Sequence, residues 1–244
     1  MESETKIGKN RTGVDMSPLD SAELLQGSQR SVPTSEGDEG TAAGIRAEYI
    51  RQADLIGSVP PPGTIKGVVQ TGIQALTGNR PQVLLDKLGE RLAFERTGTR
   101  LYEALITKCL AAADGHNVVA MDKLEQIHDD EARHFELVRQ AIESLGADPT
   151  AQTPCADLTG VESLGLMQAL NDPRTTLTQG LHTILVAELA DNAGWELLIE
   201  LAQQSGQRQL SEQFAGAFAQ EQQHLEQVKA WLEDMTFSEA KLGA

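Results

Sequence analysis

The sequence predicts an all-α protein: a four-helix bundle of two antiparallel helical hairpins joined by one long crossover, with an extended N-terminal segment in front. Three observations carry this expectation. From Pro81 onward, apolar residues recur at helical spacing and almost no strand alternation is visible. Four segments are each near 30 residues long, a length typical of bundles. The first and second, and the third and fourth, are joined by a few residues only, which forces each pair to double back. The second and third are separated by residues 146–174, a stretch of 29 residues long enough to cross the bundle.

Residues 1–44 are rich in Ser, Gly, Thr and Glu with few large apolar side chains, so too little burial is on offer to offset ordering entropy, and a disordered tail is expected. Residues 45–58 predict a short helix stopped by Pro60-Pro61-Pro62, and 64–77 a second one weakened by Gly67 and Gly72. Together 45–80 read as a strap lying on the main domain, 81–244. Within that domain the spacing predicts helices over 82–113, ending at Asp114-Gly115, and 118–145, ending at Gly146. A short helix over 160–170 in the crossover, then helices over 175–204 and 209–234, complete it.

The formal charge of −16 is concentrated in the domain, with −2 in residues 1–80 and −14 in 81–244. Phosphate binding needs a basic face, so a nucleic-acid partner is not expected. No apolar run approaches the ~20 residues of a membrane span, and Met1–Arg11 lacks the apolar stretch of a signal peptide. Cys109 and Cys155 are too few for a disulfide framework or a four-cysteine zinc site. A cytoplasmic protein with no membrane partner is the expectation.

The chain repeats itself, and the repeat falls on carboxylates. Glu95, six residues, Tyr102-Glu103, then Leu105-Ile106 matches Glu188, six residues, Trp195-Glu196, then Leu198-Ile199. Glu131-x-x-His134 matches Glu221-x-x-His224. The offsets of 93 and 90 residues describe two hairpins of one design. Glu and His at i and i+3 project from one helix face, so each such pair can chelate a metal ion. Glu95 and Glu188 sit in apolar stretches that should face the core. Four ionised Glu there would cost many kcal/mol without compensation. Two divalent cations balance them charge for charge. Hard oxygen with some imidazole suits iron or manganese, and zinc less specifically. The acids downstream, Glu103, Glu136, Glu196 and Glu226, read as solvated or as acids supporting the site from outside it.

The set Glu95, Glu131-x-x-His134, Glu188, Glu221-x-x-His224 resembles the ferritin-like di-iron carboxylate superfamily, and most of all its bacterioferritin and rubrerythrin branches. The resemblance covers about residues 82–235. It implies a ferritin-like bundle with two Fe ions per chain, Mn or a mixed Mn/Fe pair being the alternatives. It implies that Glu95 and Glu188 are terminal ligands, that Glu131 and Glu221 bridge, and that His134 and His224 each complete one ion. Tyr102 matches a tyrosine that ferritins keep beside the site. The chain departs from these relatives in lacking the paired Cys-x-x-Cys of a rubredoxin module, and in its first eighty residues.

The leading functional expectation is a di-iron oxidoreductase of ferroxidase or peroxidase type, handling Fe(II) with O2 or H2O2. Gly98, Thr99, Asp191 and Asn192, three and four residues beyond Glu95 and Glu188, would line its pocket, Asp191 as a supporting acid or as a ligand on the path of incoming iron. Tyr102 and Trp195 would tune the site or pack the core. One alternative is an oxygenase or oxidase of a small organic substrate, with Gly98 and Gly194 making room. Another is a non-enzymatic bundle with a structural metal and a partner for the N-terminal tail. A homodimer is compatible with each. His116 reads as a solvated turn residue, His128 as a packing residue, and His182 carries no specific signal.

Overall fold

The computed structural model describes residues 18–30, 39–61, 81–112 and 119–242. All regular structure among them is helical: α1 Pro18–Arg30, α2 Glu39–Gln52, α3 Pro81–Ala111, α4 Met121–Ser144, α5 Pro154–Asn171, α6 Leu177–Gln204 and α7 Arg208–Leu242. No helix among the described residues is long and apolar enough to cross a membrane. The expected helix over 64–77, the turn residue His116 and the two helix ends next to it lie outside the described residues.

Two compact units are present, Met1–Asp54 and Leu55–Ala244. In the first, α1 and the start of α2 are formed within the segment for which composition alone implies disorder. Ala, Leu, Glu and Gln supply helix propensity there although little apolar surface is covered. In the second, residues 55–61 are extended, and Val59 packs against the apolar cluster that contains Leu85 and Ile142.

The ends of the helices in the second unit follow from local chemistry. Thr153 caps α5 by accepting from the Ala156 N–H at 3.3 Å, and Pro154 fills the first turn. This start signal places the N-terminus of α5 six residues before the expected one. Thr176 and Gln179 form a reciprocal capping box on α6. Gly146 and Gly206 end α4 and α6 at φ of 82° and 74°. Each allows a Schellman closure, with Ala147 N donating to Ile142 O and Gln207 N to Ala202 O. The last helix, α7, runs eight residues beyond the expected Asp234, because 235–242 contain no breaker and Met235 is buried.

Helix α3 packs against α4, α5 and α6, while α7 packs against α6 and α4. Along α6 and α7 the partners pair in reverse order: Thr178 with Glu239, Asn192 with Glu221, Trp195 with Phe214. The apolar interior is split in two. One cluster gathers Leu101, Leu105, Leu124, Ile127, Ile184, Val228 and Trp231; the other gathers Leu88, Val138, Trp195, Phe214 and Ala217. On each of α3, α4, α6 and α7, buried polar residues lie between the two clusters.

Candidate metal centre

That polar layer contains all six side chains expected to bind metal. Glu95 and Glu221 are fully buried, and Glu131, His134, Glu188 and His224 are at most 4% exposed. Their donor atoms form two overlapping groups, each with all atoms within 4.8 Å of one another: Glu131, Glu188, Glu221 and His224; and Glu95, His134 and Glu221. Glu221 belongs to both. Its Oε1 lies 2.5 Å from His134 Nδ1, and its Oε2 lies 3.2 Å from His224 Nδ1. Residues on four helices, up to 129 positions apart in sequence, thus converge on one locus.

The outward-facing atoms are held by residues that sequence reading missed. His134 Nε2 lies 3.1 Å from Gln220 Oε1, and His224 Nε2 lies 3.4 Å from Asp130 Oδ2. Gln220 Nε2 donates to Asp130 Oδ1 at 2.8 Å, tying α7 to α4. Nε2 of each imidazole therefore keeps its proton and Nδ1 is turned to the cluster, the orientation that metal-binding histidines need. The available signal was position: Asp130 and Gln220 each immediately precede the Glu of a Glu-x-x-His pair.

The two remaining carboxylates are anchored differently. Tyr102 Oη donates to Glu188 Oε1 on α6. Glu95 Oε1 instead meets the buried guanidinium of Arg91 at 3.4 Å, one turn earlier on α3. Arg91 also pairs with Asp191, so Asp191 serves this cation rather than the ligand cluster. Thr99 donates to its own helix backbone at Glu95 O, and Asn192 donates to the carbonyls of Glu188 and Glu221. Thr99 lines a surface cavity with Arg96, Glu103 and Phe135, which contains none of the six clustered residues. Trp195 packs edge-on to His134, with ring centroids 5.7 Å apart.

Glycines give the polar groups their space. A Cβ at Gly98 would collide with the Glu131 carboxylate, and one at Gly194 with the Arg91 guanidinium. His128 stays outside the cluster, 3.1 Å from Asp129 and 3.7 Å from Glu103. His182, Glu103, Glu196 and Glu226 are exposed.

No family model matches the chain, and neither a curated protein nor a solved structure does. The chemistry of the site is therefore argued from its own atoms. Burial and the charge of Glu131 push Glu95 well above the carboxylate range, and burial with Glu131 and Glu221 does the same to Glu188. Burial and Glu221 also raise Glu131. Burial would raise Glu221 too, but the imidazoles of His134 and His224 hold it down at about 2. Burial opposes charge on His224, yet Glu131 and Glu221 outweigh it and push the ring up to about 11. Protons on acids and imidazoles thus balance the layer when nothing else does.

Some atoms are nonetheless left over. Glu221 Oε1 and His134 Nδ1 face each other 2.5 Å apart, while Glu95 Oε2 and Glu188 Oε2 are buried and make no hydrogen bond. Such orphans cost about 1–3 kcal/mol each, more when charged. They are the inward atoms of the cluster and the donor types of a hard or borderline cation. The buried Glu and His groups can hold a metal ion.

Proposed function

We propose that this chain is a ferritin-like bundle, with hairpins α3–α4 and α6–α7 joined across α5, that holds two iron ions per chain. We propose that it is an oxidoreductase of the ferroxidase or peroxidase kind, acting on Fe(II) with O2 or H2O2. The single observation that carries the reading is the pair of overlapping groups of donor atoms sharing Glu221, buried in one layer with Glu95 Oε2 and Glu188 Oε2 left without hydrogen bonds. One such group would suit a lone ion; two groups with a common carboxylate suit a pair, because a carboxylate has two oxygens to share.

Glu95 and His134 would hold one ion and Glu131, Glu188 and His224 the other, with Glu221 shared between them. Such a pair would supply two electrons, one from each Fe(II), to O2 or H2O2. The protein's share is to position and to insulate. Asp130 and Gln220 fix the imidazoles, Tyr102 fixes Glu188, and Arg91 fixes Glu95. The flanking apolar clusters keep bulk water from the layer. Tyr102 holds its proton at Oη, since burial and Glu188 raise it well above an ordinary phenol. Manganese, alone or mixed with iron, suits the same donors.

The oxygenase alternative asks for room beside the ions, and the two glycines that would supply it face Glu131 and Arg91 instead. The structural-metal alternative draws on one observation, the near-complete burial of all six ligands. Anaerobic Fe(II) titration followed by air decides among these. The expected result is two ions bound per chain and oxidation faster than in buffer. Binding without faster oxidation leaves a structural metal, and failure to bind two ions sinks the proposal.

A further inference from the structure

The pseudo-twofold repeat that builds the cluster is broken at each supporting position. His224 is backed by the carboxylate of Asp130, whereas His134 is backed by the neutral amide of Gln220. Glu188 is anchored by a neutral phenol, whereas Glu95 is anchored by the cationic guanidinium of Arg91. In the repeat, the counterpart of Arg91 is Ile184, four residues before Glu188, and the counterpart of Asp191 is Gly98. The Arg91–Asp191 pair therefore exists on one side only. The donor count differs as well: four side chains converge around His224 and three around His134, Glu221 being common to both.

Each difference acts in the same direction. A carboxylate behind an imidazole makes its free nitrogen a better donor than an amide does. A cation on a carboxylate draws away the charge that a metal ion would use, while a phenol draws away less. A fourth protein donor adds a bond that the other position lacks.

Resting on the dinuclear reading above, we propose that the two ion positions are inequivalent. The position built on Glu131, Glu188, Glu221 and His224 fills first and holds its ion. The position built on Glu95 and His134 fills second and exchanges. Arg91, Asp130 and Gln220 are positioning residues that set this order without touching an ion. A protein that turns over Fe(II) as substrate needs one exchangeable position, and an anchored neighbour keeps the cluster assembled while that ion comes and goes.

Anaerobic titration of the full-length chain with Co(II), followed by visible absorption and calorimetry, tests this without any turnover. Two ions should bind in two steps separated by about 10- to 100-fold in affinity, the range that supporting partners of metal ligands command. His134→Ala should keep the tight step and lose the weak one, and His224→Ala should do the reverse. Asp130→Asn removes the charge behind His224 with little change of shape, and should weaken the tight step by about 10-fold or more with two ions still bound. A single step of two equal ions, or loss of the tight step in His134→Ala, overturns the proposal while leaving the dinuclear site intact. Binding of one ion or none overturns the dinuclear reading itself.

Discussion

Gly98 and Tyr102 show how single side chains trade stability against ligand geometry. At Gly98 an added methyl would improve helix propensity by about 1 kcal/mol but displace the Glu131 carboxylate. Gly98→Ala should therefore leave the melting temperature of the metal-free protein unchanged or raised, while Co(II) binds more weakly. Unchanged Co(II) affinity would show that Glu131 has no need of that space. Tyr102→Phe removes the donor to Glu188 Oε1 and leaves a buried oxygen unpaired. Urea denaturation should record a loss of about 1–3 kcal/mol. The six clustered residues were legible in sequence because the i, i+3 rule and the two-fold repeat act along one helix at a time. Arg91, Asp130 and Gln220 were not, because what each touches depends on the register between helices. Asp191 illustrates the difference: its spacing from Glu188 points to the site, yet its partner is a guanidinium on α3.

Among the elements, the four long helices were readable because their apolar period runs for some 30 residues and turn signals separate them. Helix α5 was only half readable. Gly160 and Gly165 weaken its pattern, and its true start rests on the Thr153 side chain and Pro154. Those glycines face open space, so nothing in their surroundings penalises the helix beyond its intrinsic cost. The end of α7 was missed for the opposite reason, since a helix without a breaker continues while its residues still find a core, as Met235 does. The start of α6 is set by the capping box of Thr176 and Gln179. Thr176→Ala should cost about 1 kcal/mol, a fall of roughly 2–4 °C in melting temperature for a domain of this size. No change on differential scanning would show that Lys108, which donates to Thr175 O at 2.9 Å, already secures that end.

For the whole molecule, the decisive variable is what balances the buried charge. In the metal-free protein protons do so, and the sign of their effect follows from the direction of each shift. Glu95, Glu131, Glu188, His134 and His224 all bind protons more tightly folded than unfolded. Each contributes stability that is complete below its ordinary value, 4.5 for the acids and 6.5 for the imidazoles, and that is lost as pH rises toward the folded value. Glu221, held at about 2, behaves oppositely, but its effect lies in acid and is complete well below neutrality. The metal-free protein should therefore lose stability between about pH 6 and about pH 8.5, by up to about 1.4 kcal/mol per pH unit for each proton involved. Bound cations replace those protons, so metal binding should release protons and strengthen as pH rises. Thermal unfolding at the two pH values, with chelator and with Mn(II), reads both effects together. The chelated protein should melt lower at the higher pH and the loaded protein nearly the same, so the gap between them widens. A gap that narrows with pH would mean that protons and cations do not compete for this layer, and that the buried acids are balanced in some other way.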